Sequence, residues 1–147
     1  MAIDVTSSIE IASPRAVVAA FSSDPDNVPR WYVNIKSVEW KTPRPAQIGS
    51  RIAFEAQFLG RRLAYTYEIL DLVPGERLVM RSDEGPFPME TSYGWRDSGE
   101  GRTHMTLRNR GSPAGFSRLM TPLIAVAVRR STNRDLLRLK NILEAAG

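Results

Sequence analysis

Three tyrosines, Tyr65, Tyr67 and Tyr93, are the main candidates for chemistry in this sequence, because the stronger reagents are missing. His104 is the only histidine, which rules out a multi-histidine metal centre, and there is no cysteine to act as nucleophile, metal ligand or disulfide. No G-x-S-x-G elbow occurs, and Gly99-Glu100-Gly101 reads as a hairpin turn, not a phosphate loop. Acyl transfer through Ser or Cys is therefore disfavoured. A phenol can still hydrogen-bond a carbonyl or enolate and polarise it without a metal. Around these tyrosines, Glu10, Glu55, Glu68 and Glu90 fall on the polar parity of their segments and are expected to be solvated. His104 shares the parity of Thr106 and Arg108, so it too is expected to face solvent. Asn109 shares the parity of Met105 and Leu107, and is as well placed to touch a ligand as to serve as a turn residue before Gly111.

Positioning these groups falls to a run of strands. Residues 3–11 alternate, with Ile3, Val5, Ser7, Ile9 and Ile11 on one face. Ser13-Pro14 predicts a helix start, with Ser13 as cap and Pro14 in the first helical position. Asp24-Pro25 ends that short helix or restarts the chain as a second one, and Pro29 limits the next turn. From Ile35 to Arg110 the pattern is a meander of six strands joined by Gly-rich turns, which argues for antiparallel pairing. Beyond Pro113 helix formers dominate, and Thr132, Leu136, Leu139 and Leu143 make one apolar stripe. Pro122 is expected to kink this helix or divide it into a short piece and a long one.

The strand faces are rich in large, adaptable residues: Phe54, Phe58, Tyr65, Tyr67, Met80, Phe87, Met89, Tyr93 and Trp95. Leu, Ile and Val suffice to fill a core, whereas buried Tyr and Trp each carry a polar atom that needs a partner. Any one of these rings is better read as core filling, but the set favours a mostly apolar cavity with a few polar tips. The stretch "SSDPDNVPRWY" sets Trp31 and Tyr32 among turn residues between the first strand and the meander. One of the two is expected to pack as a plug and the other to face a ligand, and parity does not say which.

Length and composition set the remaining bounds. A chain of 147 residues, 42% hydrophobic and 24% charged, fits one globular domain over residues 1–147. No basic segment followed by an apolar stretch opens the sequence, and the longest apolar run, Pro122 to Val128, is far below the roughly 20 residues of a membrane span. A cytoplasmic protein is expected. The net charge of +4 is uneven: from Arg108 onward eight Lys/Arg oppose only Asp135 and Glu144. Arg130, Arg134 and Arg138 recur every four residues on one helical face, with Arg129 and Lys140 nearby. A solvated face that complements the helix C-terminus is the plainer account. Contact with lipid headgroups is the sharper one, and nucleic acid is disfavoured because no aromatics interleave the arginines. Phe116, Leu119, Met120, Leu123 and Ile124 exceed one narrow stripe and suit a gate over the cavity, a dimer patch or a membrane-touching lip.

The wording "IEIASPRAVVAAFSSDPDNVPRWY", "VEW" before a Gly-Ser strand start, "YEILDLVPGERLVMRS" and "LLRLKNILE" resembles the START-like, helix-grip (SRPBCC) superfamily, most closely its polyketide cyclase/dehydrase-type proteins. The likeness runs over nearly the whole chain. It implies an α+β helix-grip fold: a seven-stranded curved antiparallel sheet wrapped around a long C-terminal helix, with two short helices between strands 1 and 2. It also implies an interior cavity for a hydrophobic or amphipathic molecule of lipid, aromatic or polyketide-like type. Catalysis does not follow, because the superfamily mixes cyclases with lipid, sterol and quinone carriers. Cyclase or dehydratase activity without metal, cofactor or nucleophile is one reading. The other is a lipid or quinone carrier acting at a membrane or ribosome through the basic helix, as monomer or homodimer. Expected ligand contacts are Trp31, Tyr32, Phe54, Phe58, Tyr65, Tyr67, Met80, Met89, Tyr93, Trp95, Asn109, Met120 and Ile124. No catalytic residue is assigned.

Overall fold

The computed structural model describes residues 3–58, 60–82, 88–111 and 120–146. Strand β1 (Ile3–Ile11) buries Ile3, Val5 and Ile11 and turns Asp4, Thr6 and Ser8 outward, as its alternation predicts. Helix α1 (Arg15–Ser22), a 3-10 turn (Pro25–Asn27) and the single-turn helix α2 (Val28–Trp31) follow. The meander is β2 (Ile35–Trp40), β3 (Arg51–Phe58), β4 (Arg61–Val73), β5 (Arg77–Ser82), β6 (Met89–Gly99) and β7 (Arg102–Gly111). Helix α3 (Thr121–Ala146) completes the fold.

The seven strands form one antiparallel sheet in the order β1-β7-β6-β5-β4-β3-β2. Register shifts at Ile35/Ser37, Ile69/Asp71 and Asp97/Gly99 bend it, since a bulge adds a residue to one strand and increases local twist. The sheet curves around α3 in the helix-grip arrangement expected from the sequence. Gly60 and Gly101 hold the β3–β4 and β6–β7 turns with φ of 74° and 68°, a region that L side chains rarely adopt.

One helix expectation needs correction. Ser13 does not cap α1; Pro14 occupies the cap position, and its carbonyl accepts from the N–H groups of Val17 and Val18 at 3.0 Å. Ser13 is instead tied to the sheet, where its carbonyl accepts from the Thr103 hydroxyl at 2.7 Å. Pro122 falls in the first turn of α3, where a missing N–H interrupts no helical hydrogen bond. The expected helical piece at 113–119 lies outside the described residues.

The core is in two parts. A main cluster joins α1, α2 and the centre of the sheet to Leu136, Leu139 and Leu143 of α3. A smaller one groups Ile3 and Val5 of β1 with Ile124 and Val128 near the start of α3, with Tyr65 and Met89 packed against it. Full burial of side chains of this size is worth about 1.5–3 kcal/mol each, so α3 is held at both ends.

Candidate functional site

Between the two clusters the structure leaves a cavity of about 130 Å³. Its sheet wall is built by Ala56 of β3, Tyr65 and Tyr67 of β4, Met89 of β6, and Leu107 and Asn109 of β7. Val128, Ser131, Thr132 and Asp135 of α3 form the opposite wall, and Tyr32, Asn34 and Ile35 form the end beyond α2. A second chamber of about 60 Å³ shares Tyr32, Ile35, Tyr67 and Asn109 with the first and adds Phe54, Met80, Thr91 and Tyr93. Period-2 alternation puts these side chains on the concave face, because β3, β4, β6 and β7 each turn every second residue inward.

The polar groups of this space form three small networks. The Tyr32 and Tyr93 hydroxyls lie 2.5 Å apart, so one donates to the other and the acceptor keeps its own proton for a further partner. Thr91 donates to the Asn109 carbonyl oxygen at 2.7 Å, and the Asn109 amide reaches the Thr132 hydroxyl at 3.3 Å. One Asn109 N–H is left over by this count. Asn34 donates to the Ser131 hydroxyl at 2.7 Å. Burial raises the Tyr32, Tyr67 and Tyr93 phenols above their ordinary pKa, so all three remain neutral donors.

Asp135 is the residue that sequence reasoning missed. It is only 4% exposed, and one carboxylate oxygen accepts from the Val33 N–H at 2.9 Å. Burial pushes its pKa up to about 7, against the pull of that N–H and of Arg134 and Arg138. A signal was present. Thr132, Asp135, Leu136 and Leu139 follow the i, i+3, i+4, i+7 spacing of the buried stripe, so a carboxylate on it is anomalous. Asn34 and Ser131 carried no comparable signal, and Leu107 and Val128 look like any core residue.

The expected contacts divide into groups. Tyr32, Tyr65, Tyr67, Met89 and Asn109 line the main cavity, while Phe54, Met80 and Tyr93 line the second chamber. Of the Trp31–Tyr32 pair, Tyr32 lines the space and Trp31 is the plug. Trp31 is fully buried against both tyrosines, with ring centroids 4.4 Å from Tyr32 and 5.6 Å from Tyr93. Trp95 lines neither chamber, because its indole N–H is drawn to the Ser22 hydroxyl at 3.0 Å and fastens β6 to α1. Ile124 is core of the smaller cluster, and Met120 is 40% exposed before α3. The Phe58 side chain, and Phe87, Phe116 and Leu119, lie outside the described residues. On the outer surface His104 sits on the solvent-facing parity and pairs with Glu10 at 2.6 Å. Among the described residues no group of His, Cys, Asp or Glu could hold a metal ion.

A curved antiparallel sheet gripping one long helix over a lined cavity is the START-like, helix-grip architecture. The chain belongs to the family described as polyketide cyclase / dehydrase and lipid transport, whose family model matches residues 2–144. Solved structures similar to it share the fold at low identity. A START superfamily protein from Mycobacterium smegmatis is 12% identical with a TM-score of 0.85, covering 99% of each chain. The Zhui aromatase/cyclase from a Streptomyces species is 15% identical with a TM-score of 0.83, covering 98% of this chain and 94% of that one. A protein from Thermus thermophilus is 20% identical with a TM-score of 0.85, covering 98% and 99%. No curated protein sequence matches this chain.

Proposed function

We propose that the cavity binds a small hydrophobic or amphipathic molecule of lipid, aromatic or polyketide-like type. The observation that carries this reading is the space itself. A core shaped only for stability packs to crystal-like density, and about 130 Å³ left unfilled between sheet and helix departs from that. Its walls are apolar, with a few polar tips that fix orientation. The family description, which joins cyclases and dehydrases with lipid transport, supports the same class of ligand.

Cyclisation or dehydration is the reaction class these groups suit. The Tyr32–Tyr93 pair offers a neutral O–H to a carbonyl or enolate, and Asp135 holds or releases a proton near neutrality. Binding a flexible chain folded against Tyr65 and Tyr67 would supply the positioning. The aromatase/cyclase title of the Streptomyces structure lends support to this reading. Native mass spectrometry of freshly purified protein tests the binding claim. The expected result is a bound small molecule, or one-to-one uptake of a fluorescent apolar probe that Tyr65→Phe weakens. Protein that carries nothing and takes up no probe would overturn it.

A specific observation also favours peripheral contact with an anionic lipid surface. The outer face of α3 exposes Leu123 (63%), Val126 (57%) and Leu137 (52%) among the exposed Arg130, Arg134 and Arg138. Apolar residues flanked by cations suit the headgroup boundary of a negatively charged bilayer. No described helix is long and apolar enough to cross a membrane. Vesicles containing phosphatidylserine should sediment the protein at low salt and release it as salt rises. Binding that survives Arg130→Glu with Arg134→Glu would count against this reading.

A further inference from the structure

Asp135 is the only formally charged residue among the described residues lining the main cavity; none is Lys, Arg or His. Its second carboxylate oxygen has no hydrogen bond or ion pair to a described residue. The arginines beside it on α3, Arg134 and Arg138, are exposed and line neither chamber, although Arg134 donates to the side-chain amide oxygen of the lining residue Asn34 at 3.5 Å. A ligand's polar end entering this space meets neutral donors and one carboxyl group, and no lining cation.

We propose that the cavity selects ligands whose polar end is neutral and hydrogen-bonding, such as a carbonyl, enol or phenol, and rejects carboxylates and phosphates, with Asp135 as the selecting residue. This rests on the reading of the cavity as a ligand site. An anion buried beside Asp135 would place two like charges in one low-dielectric pocket, where both cannot remain ionised. With no lining cation to pair it, its lost hydration goes uncompensated. A neutral hydroxyl can instead donate to the free carboxylate oxygen, and a carbonyl can accept from the protonated acid.

Both forms of Asp135 are populated near neutrality. Burial accounts for this, and the groups facing it, Tyr32 from the end of α2 and Tyr93 from β6, stay neutral phenols and add no charge to pair it. Arg134 and Arg138 of its own helix, with the Val33 N–H, only partly offset its burial.

The test compares 2-naphthol with 2-naphthoate, which match in shape and differ in charge, by titration calorimetry at pH 8 on folded protein. Wild type should prefer naphthol by at least about tenfold, equivalent to about 1.4 kcal/mol. Asp135→Asn, which keeps the shape and removes the charge, should shrink that preference by gain of naphthoate. Wild type gives a second readout: from pH 8 to pH 6 its affinity for naphthoate should rise severalfold while naphthol changes little. Equal affinities on wild type, or a preference that neither Asp135→Asn nor the pH change alters, would overturn the proposal. If naphthalene binds and neither polar probe does, the polar-end selection fails and the cavity reading stands. If none of the three binds, the cavity reading itself fails.

Discussion

The hydroxyl of Tyr32, just past α2, lies 2.5 Å from the hydroxyl of Tyr93 in β6, 61 residues further along the chain. This contact joins the helical connection to the middle of the sheet, and it forms where the two chambers meet. Each phenol is the other's partner. Tyr32→Phe or Tyr93→Phe should therefore cost about 1–3 kcal/mol, because the remaining buried hydroxyl loses its bond. The double variant should cost less than the sum, with a coupling on the order of 1 kcal/mol. Urea unfolding of the four proteins measures it, and strict additivity would contradict the pairing.

Asp135 makes a signed prediction for pH. Its folded pKa, about 7, lies above the ordinary carboxyl value of 3.8, so between those values the folded state binds more protons than the unfolded chain. Its contribution to stability is present in full below pH ~4. It is lost as pH rises to about 7 and changes little beyond that. The total is on the order of 4 kcal/mol. Asp4, Glu10, Asp26 and Glu144 are held below their ordinary values by ion pairs and hydrogen bonds, and they slope the opposite way at lower pH. The difference between wild type and Asp135→Asn isolates the effect. From pH 5 to pH 8 the stability of wild type relative to Asp135→Asn, read by urea denaturation, should fall by at least about 1 kcal/mol.

Filling the cavity should separate binding from folding. Ala56 of β3 is 7% exposed and its side chain borders the main cavity. Ala56→Phe places a ring in that space, so an apolar fluorescent probe should bind at least about tenfold more weakly while stability changes by no more than about 3 kcal/mol. Undiminished probe binding would mean that the probe sits elsewhere.

Trp31 should behave as core and not as lining. It is fully buried, and its indole N–H has no hydrogen-bond partner among the described residues. Trp31→Ala should cost about 3–5 kcal/mol, yet the fraction that remains folded should bind the probe with little change in affinity. Thermal unfolding alongside probe titration checks both halves.

How far the sequence carries the structure depends on what each residue must satisfy. Ile52-Phe54-Ala56 and Thr91-Tyr93-Trp95 alternate because one sheet face is buried, so strand placement and facing could be read directly. Pro122 shows one limit: proline breaks a helix interior but suits its first turn, and the start of a helix is the hardest boundary to place. Trp31 and Trp95 show a second limit. Composition brings aromatics to a region, while their roles follow from long-range partners such as Ser22 for Trp95. Asp135 was legible in principle, as a charge on an apolar stripe, and was hidden only by the basic residues around it.

The order of strands in the sheet has a consequence for when a ligand can enter. β1 has a single strand partner, β7, with Ile3 opposite Gly111, while β2 lies at the far edge. The first strand thus waits for the last before it can pair, and the α3 wall of the cavity follows later still. Such long-range closure is slow compared with local pairing. A nascent chain stalled before residue 121 would lack the α3 wall, so the cavity has both its walls only once the end of the chain has docked on the sheet.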